Sequence, residues 1–163
     1  MATGLKSRVI FRLHSDTNTT LAGTYKLLVR ATKIPSPIKE PNTVESSTLE
    51  DMVQTFELGR GQSGLLKVEG NYERADIVAI NAMAGKQVDI IQLYGTDGLG
   101  GIGKYSYVAQ VSAVPGDVDG DGIISMSVSI IPNTVPKDVF ETFTVTSTGE
   151  DTAALSFTVA SKA

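Results

Sequence analysis

Three aspartates stand at alternate positions in GDVDGDGII, residues 116–124. A calcium-binding EF-hand loop opens in this way, with oxygen ligands at positions 1, 3 and 5 and a bidentate Glu at position 12. Counted from Asp117, position 12 is Val128, and no helical pattern flanks the segment. Alternating strand patterns flank it instead, and Asp and Gly suit the φ angles of hairpin turns. The stretch reads as a hairpin tip, with only weak, adventitious cation affinity expected of Asp117, Asp119 and Asp121. Gly98 to Gly103, GLGGIG, matches the dinucleotide fingerprint in spelling. That fingerprint needs a helix to follow, so that amide groups meet the pyrophosphate. Here a strand pattern, KYSYVAQVSAV, follows, so a strand connection is expected. His14 lies in the polar run HSDTNTT without a Ser or Cys partner at a telling distance. It reads as a surface histidine. Glu50, Asp51 and Glu57 are scattered acids with no pocket to separate their pKa values for acid–base work. No enzyme activity and no cofactor are expected.

Composition narrows the chemistry further. The 163 residues contain no Cys and one His, which removes disulfides, thiolate ligands and the usual zinc sets. The length suits one domain, residues 1–163. A net charge of −4 argues against a surface that grips DNA. No apolar run approaches the roughly 20 residues that span a bilayer, and no membrane partner is expected. The first residues lack a secretory pattern, which places the chain in the cytosol of the cell that makes it. Half of the Lys and Arg fall before residue 40, and acids dominate afterwards. Such unevenness reads first as solvated edge charge, and second as complementarity between copies.

The elements that must carry these residues are mostly strands. Candidates are residues 8–13, 24–32, 44–49, 65–71, 87–94, 104–114, 123–131, 141–147 and 154–160. In the clearest, Ile124, Met126, Val128 and Ile130 alternate with three serines, the mark of a half-buried strand. Residues 71–85, NYERADIVAINAMAG, form the one helical pattern. Asn71 is the expected cap, Glu73 and Asp76 suit the positive end, and Gly85 the stop. Ile77, Ile80 and Ala84 make its apolar stripe, which predicts a helix lying on a sheet. Residues 34–64, opened by three prolines and closed by three glycines, form a long irregular loop of the functional kind. Residues 141–163 fit a final hairpin.

In this order the segments resemble the major tail tube proteins of long-tailed, siphovirus-type bacteriophages. TVESSTLEDMVQTFELGRGQSGLLKVEGNYE is similar to that family's loop and the strand leading to its helix. IVAINAMAGKQVDIIQL resembles the helix and following strand, and YVAQVSAVPGDVDGDGIISMSVSIIPNTVP the late hairpin with its proline-containing end. The likeness covers most of residues 44–136; the C-terminal hairpin matches less well and reads as an addition. It implies a mainly β fold, a β-sandwich or small barrel with one flanking α-helix. It implies subunits that self-assemble into hexameric rings, stacked into a tube through which the genome passes. Tape measure and tail terminator or initiator proteins are the implied partners, and DNA passes through the lumen without specific contact. The implied location is the virion tail, after assembly in the host cytoplasm. In that family the long loop reaches a neighbouring subunit or ring. Met52, Val53, Phe56 and Leu58 are its apolar anchors, since little else there can bury area. Two other readings stand beside this one. One is the inner tube of a contractile tail or secretion device, the other a calcium-dependent β-sandwich binding module.

Overall fold

The computed structural model describes residues 6–15, 20–38, 43–45, 48, 56–58, 65–118, 120, 122–149 and 155–162. Within these the chain is mainly β with one helix, and its antiparallel sheet curls into a half-barrel. The strands in chain order are β1 (Arg8–Leu13), β2 (Gly23–Leu27), β3 (Ala31–Lys33), β4 (Thr43–Glu45), β5 (Phe56–Leu58) and β6 (Leu66–Asn71). Helix α1 (Arg74–Asn81) follows, then β7 (Val88–Tyr94), β8 (Gly103–Pro115), β9 (Ser125–Pro132), β10 (Lys137–Asp138), β11 (Phe143–Thr148) and β12 (Ser156–Ser161). The main sheet runs β11-β12-β2-β1-β7-β8-β9-β6-β3, with β10 also paired to β8. Among the described residues, strands β4 and β5 pair with each other and with no other strand.

Strand β8 organises the sheet. Residues 103–109 pair with β7 along one edge, and residues 109–115 pair with β9 along the other. Where β9 ends, β10 takes its place, Lys137 opposite Ser106. Two cores result. One gathers Val9, Phe11, Val68, Ile90, Val111, Val128 and Ile130 under the helix, whose Ile80 is fully buried. The other gathers Ile10, Tyr25, Ile91, Leu93, Val145, Phe157 and Val159 on the opposite face of β1 and β7. Strands β1 and β7 contribute alternate residues to both, so β7 is buried on both faces. A fully buried aliphatic or aromatic side chain contributes about 1.5–3 kcal/mol, which makes these two strands the anchor of the fold.

The alternation expected around β9 holds for Met126, Val128 and Ile130, at 1% exposure or less, but not for Ile124, which precedes the strand and is 38% exposed. The helix differs from expectation at its start. Asn71 is not a cap: it is the last residue of β6, opposite Ser125 of β9. Glu73 occupies the cap position without a side-chain cap bond. At the other end the helix stops earlier than expected, at Asn81 with Ala82 as its C-cap, and Gly85, with φ 79°, lies in the turn three residues beyond that cap. Ala84 is exposed, and Met83 packs on the core instead. Residues 24–32 are not one strand. The chain pairs with β1 as far as Leu28, whose N–H meets the Val9 carbonyl, and then crosses to the far edge to pair with β6 as β3. The expected strand at 44–49 is the shorter β4. The C-terminal hairpin is built into the sheet, β12 lying between β11 and β2.

Candidate functional site

The polar residues on this scaffold form three structural clusters and one open tip. Asp89, 3% exposed, stands on the same face of β7 as Ile91 and Leu93. One of its oxygens accepts from Arg12 Nε at 2.9 Å and the other from His14 Nδ1 at 2.7 Å. Arg12 spends its other two nitrogens on the carbonyls of Thr20 and Ala22, both at 2.8 Å, and its guanidinium lies 4.8 Å from the Tyr25 ring centroid. Gly23, with φ 152°, is what makes room: a Cβ there would lie 2.5 Å from Arg12 Nη1. Tyr25 donates to the Leu21 carbonyl at 2.8 Å, and burial pushes its hydroxyl pKa up, against the pull of Arg12. The cluster therefore ties the connection between β1 and β2 to β7. His14 is thus half-buried and paired, not a solvated surface histidine. Sequence spacing hides this, because Asp89 is 75 residues away.

On the opposite face, fully buried Gln92 donates to the Tyr107 hydroxyl and accepts from Tyr94, both at 2.8 Å. Burial pushes the Tyr94 hydroxyl up to about 12, with neighbouring Tyr105 adding to it. Burial also raises Tyr107, and its bond to Gln92 opposes the shift. All three polar tips are satisfied, as buried networks must be.

The third cluster ties Lys104 of β8 to the segment after β10 and to Lys162 after β12. Phe140 meets two cations, Lys104 Nζ at 4.7 Å and Lys162 Nζ at 5.2 Å from its ring centroid. Lys162 also donates to the Phe140 carbonyl at 3.0 Å. Burial, then repulsion by Lys162, lowers the Lys104 pKa, and Asp97 and Glu141 pull it back up.

The GLGGIG segment is the connection between β7 and β8. Asp97 accepts from the N–H groups of Leu99 at 3.0 Å and Gly101 at 3.1 Å, which lowers its pKa. No helix follows it. DVDGDG joins β8 to β9, and Gly116 N–H bonds the Ser125 carbonyl at 2.7 Å. The hairpin expected there is present. Asp119 and Asp121 lie outside the described residues, and among those described no group of three His, Cys, Asp or Glu could hold a metal ion. Met52 and Val53, like Glu50 and Asp51, also lie outside the described residues. Phe56 and Leu58 are in β5, with Glu57 between them. The strand at 56–58 was missed in the sequence because its three residues fall between Gly-rich and polar runs.

No protein-family model matches this sequence, and none of the curated proteins does. Solved structures do match. One is a chain in the cryo-EM structure of the anti-feeding prophage baseplate, six-fold symmetrised. It superposes with a TM-score of 0.57 over 85% of this chain and 95% of its own, at 8% identity. The likeness is one of fold.

Proposed function

We propose that this chain is a structural protein of a phage tail or tail-like device, which assembles with copies of itself into stacked hexameric rings forming a tube. The observation that supports this most is the superposition, over 85% of this chain, on a chain of a six-fold symmetrised baseplate structure. The order of segments that resembles tail tube proteins points the same way, independently of the coordinates. The inner tube of a contractile tail or secretion device is the second reading, and a match to a baseplate chain fits it equally well. In either, the chain acts by geometry and not by catalysis. The two-stranded β4–β5 ribbon supports a role for residues 34–64 between copies, since an isolated ribbon is marginal in water and gains from a partner. Purified protein, concentrated and viewed by negative-stain electron microscopy, is expected to form rings or tubes of uniform diameter. A strict monomer at every concentration, with or without phage initiator proteins, overturns the reading. Replacing Phe56 and Leu58 with Ser is expected to leave the circular dichroism spectrum unchanged and to impair stacking. Normal tubes from that variant remove the loop from the mechanism.

A further inference from the structure

Two lysine ammonium groups meet one aromatic ring beside the start of β8. Lys104 is only 6% exposed. Its stem lies against Gly100, where an added Cβ would stand 2.7 Å from Lys104 Cγ and 3.1 Å from its Cε. Its Nζ ends 4.7 Å from the Phe140 ring centroid. Lys162 Nζ ends 5.2 Å from the same centroid and donates to the Phe140 carbonyl at 3.0 Å. Both charges are therefore positioned, one by its packed stem and the other by a carbonyl.

A buried lysine ordinarily comes with a carboxylate, because a charge taken out of water is costly unless it is paired and hydrogen-bonded. Among the described residues Lys104 Nζ makes no hydrogen bond and no ion pair. The ring meets it on one side, and an ammonium has three N–H groups to place. Burial, then repulsion by Lys162, disfavours its charged form, and Asp97 and Glu141 oppose this from a distance. Asp97 is engaged elsewhere, accepting from the N–H groups of Leu99 and Gly101, and Glu141 is exposed. Nor is the nitrogen sealed from water. No buried side-chain nitrogen or oxygen among the described residues lacks a hydrogen-bond partner, so an Nζ without one reaches the surface. A positioned, largely desolvated donor beside a second like charge is suited to an anion.

We propose that Lys104 and Lys162 bind one oxyanion group, a carboxylate or a phosphate, with Lys104 Nζ donating to its oxygens and Lys162 supplying the second charge. Phe140 is the apolar wall that holds the two ammonium groups in place. A lysine meets such groups as a point charge and imposes no bidentate geometry, so both oxyanions fit. The carboxylate of a neighbouring copy is one source, and free phosphate is the other. The site does not depend on the reading of the chain as a tail protein, because every residue in it belongs to a single copy.

NMR of the full chain with carbon-labelled lysine tests this, with inorganic phosphate as the probe. Sodium chloride is exchanged for sodium phosphate at constant ionic strength and neutral pH. The Lys104 and Lys162 Cε signals are expected to shift together and to saturate. The Lys104 titration is expected to move to higher pH in phosphate, as for an amine that gains an anion. Lys162→Met is expected to weaken binding about tenfold, the loss of one charged contact, and Lys104→Met to abolish it. Circular dichroism reports the fold of each variant, and the titration of the original chain stands without them. Exposed Lys67 is the internal control. Shifts that do not saturate and are equal at Lys67 mean an adventitious ion only and overturn the proposal, as does the absence of any shift. Sedimentation velocity in the same buffers separates the two sources. Phosphate that binds and disperses assemblies identifies a neighbour's carboxylate as the native occupant, and phosphate that binds without that effect identifies a free anion. A chain that binds phosphate and never assembles overturns the proposed function and leaves this site standing.

Discussion

The two turns at the ends of β8 are built from the same residue types and behave differently. GTDGLGG, between β7 and β8, is held from every side. Asp97 satisfies two of its backbone N–H groups, the Arg8 side chain lies where a Gly98 Cβ would stand, and Lys104 packs against Gly100. Gly98 and Gly100 have φ near +75°, a region L side chains rarely adopt. GDVDGDG, between β8 and β9, leaves open space around Gly120 and presents Val118 and Ile123 to water. Asp/Gly composition alone therefore specifies a turn and not its use. What decides is whether neighbouring strands bring side chains to satisfy the turn.

The contrast can be broken by substitution. The largest effect is expected from Gly100→Ala. A left-handed conformation costs an ordinary residue about 1–2 kcal/mol. The added Cβ would also stand 2.7 Å from Lys104 Cγ, and overpacking adds about 1–3 kcal/mol. A loss of about 2–4 kcal/mol in urea unfolding is expected, and a loss under 0.5 would show that this turn is as loose as the tip. Next comes Asp97→Ala, which strips two backbone N–H groups of their acceptor. About 1 kcal/mol is expected from the comparable loss of a helix cap, read as a lower urea midpoint at unchanged slope.

A smaller effect is expected from pH. The Asp97 pKa is lowered from 3.8 by its backbone donors. A carboxylate depressed in the folded state adds stability above its unfolded value, and that part is lost as pH falls through the folded one. Asp97→Asn keeps an acceptor oxygen and loses the charge. The original chain's advantage over it should be present at pH 7 and shrink steadily below pH 3.8. Equal stability of the two at pH 7 would remove the charge from the account. The smallest effects belong to the tip. Gly120→Ala and Ile123→Ser should each change monomer stability by less than about 0.5 kcal/mol, as open surface positions do. A larger change would mean that the tip is braced after all.

Strand by strand, the sequence was legible where one face is dry and the other wet. β9 is the example, since serine and aliphatic residues take turns along it. The broad fold, the single helix and the hairpin at DVDGDG were legible for the same reason. Ambiguity entered where the alternation continues through a change of partner. Leu28 and Val29 are both buried in the helix-side core, so nothing in the pattern marks the crossing from β2 to β3. Asn71 is a good cap by type, yet the ladder with β9 claims it first. Two-residue β10 is too short to leave a period. The Asp89 cluster was not legible at all, because its members meet only through pairing of β1 with β7. Of the proposed contact residues, Phe56 and Leu58 could be placed on a strand, but the pattern around them favoured a loop.

The place of β12 has a consequence in time. It is the last of the described strands in chain order, yet it sits between β2 and β11, and its Val159 pairs with Gly23. At about 5–20 residues per second, the N-terminal strands wait many seconds for this partner. Until Phe157 arrives, Ile10, Tyr25 and Ile91 lack the side chain that completes their core. A nascent chain that stops short of Phe157 therefore lacks the strand that closes this core. The sheet closes between β11 and β2 only once residues 156–161 have emerged, so the strands made first are the last to gain their full set of neighbours.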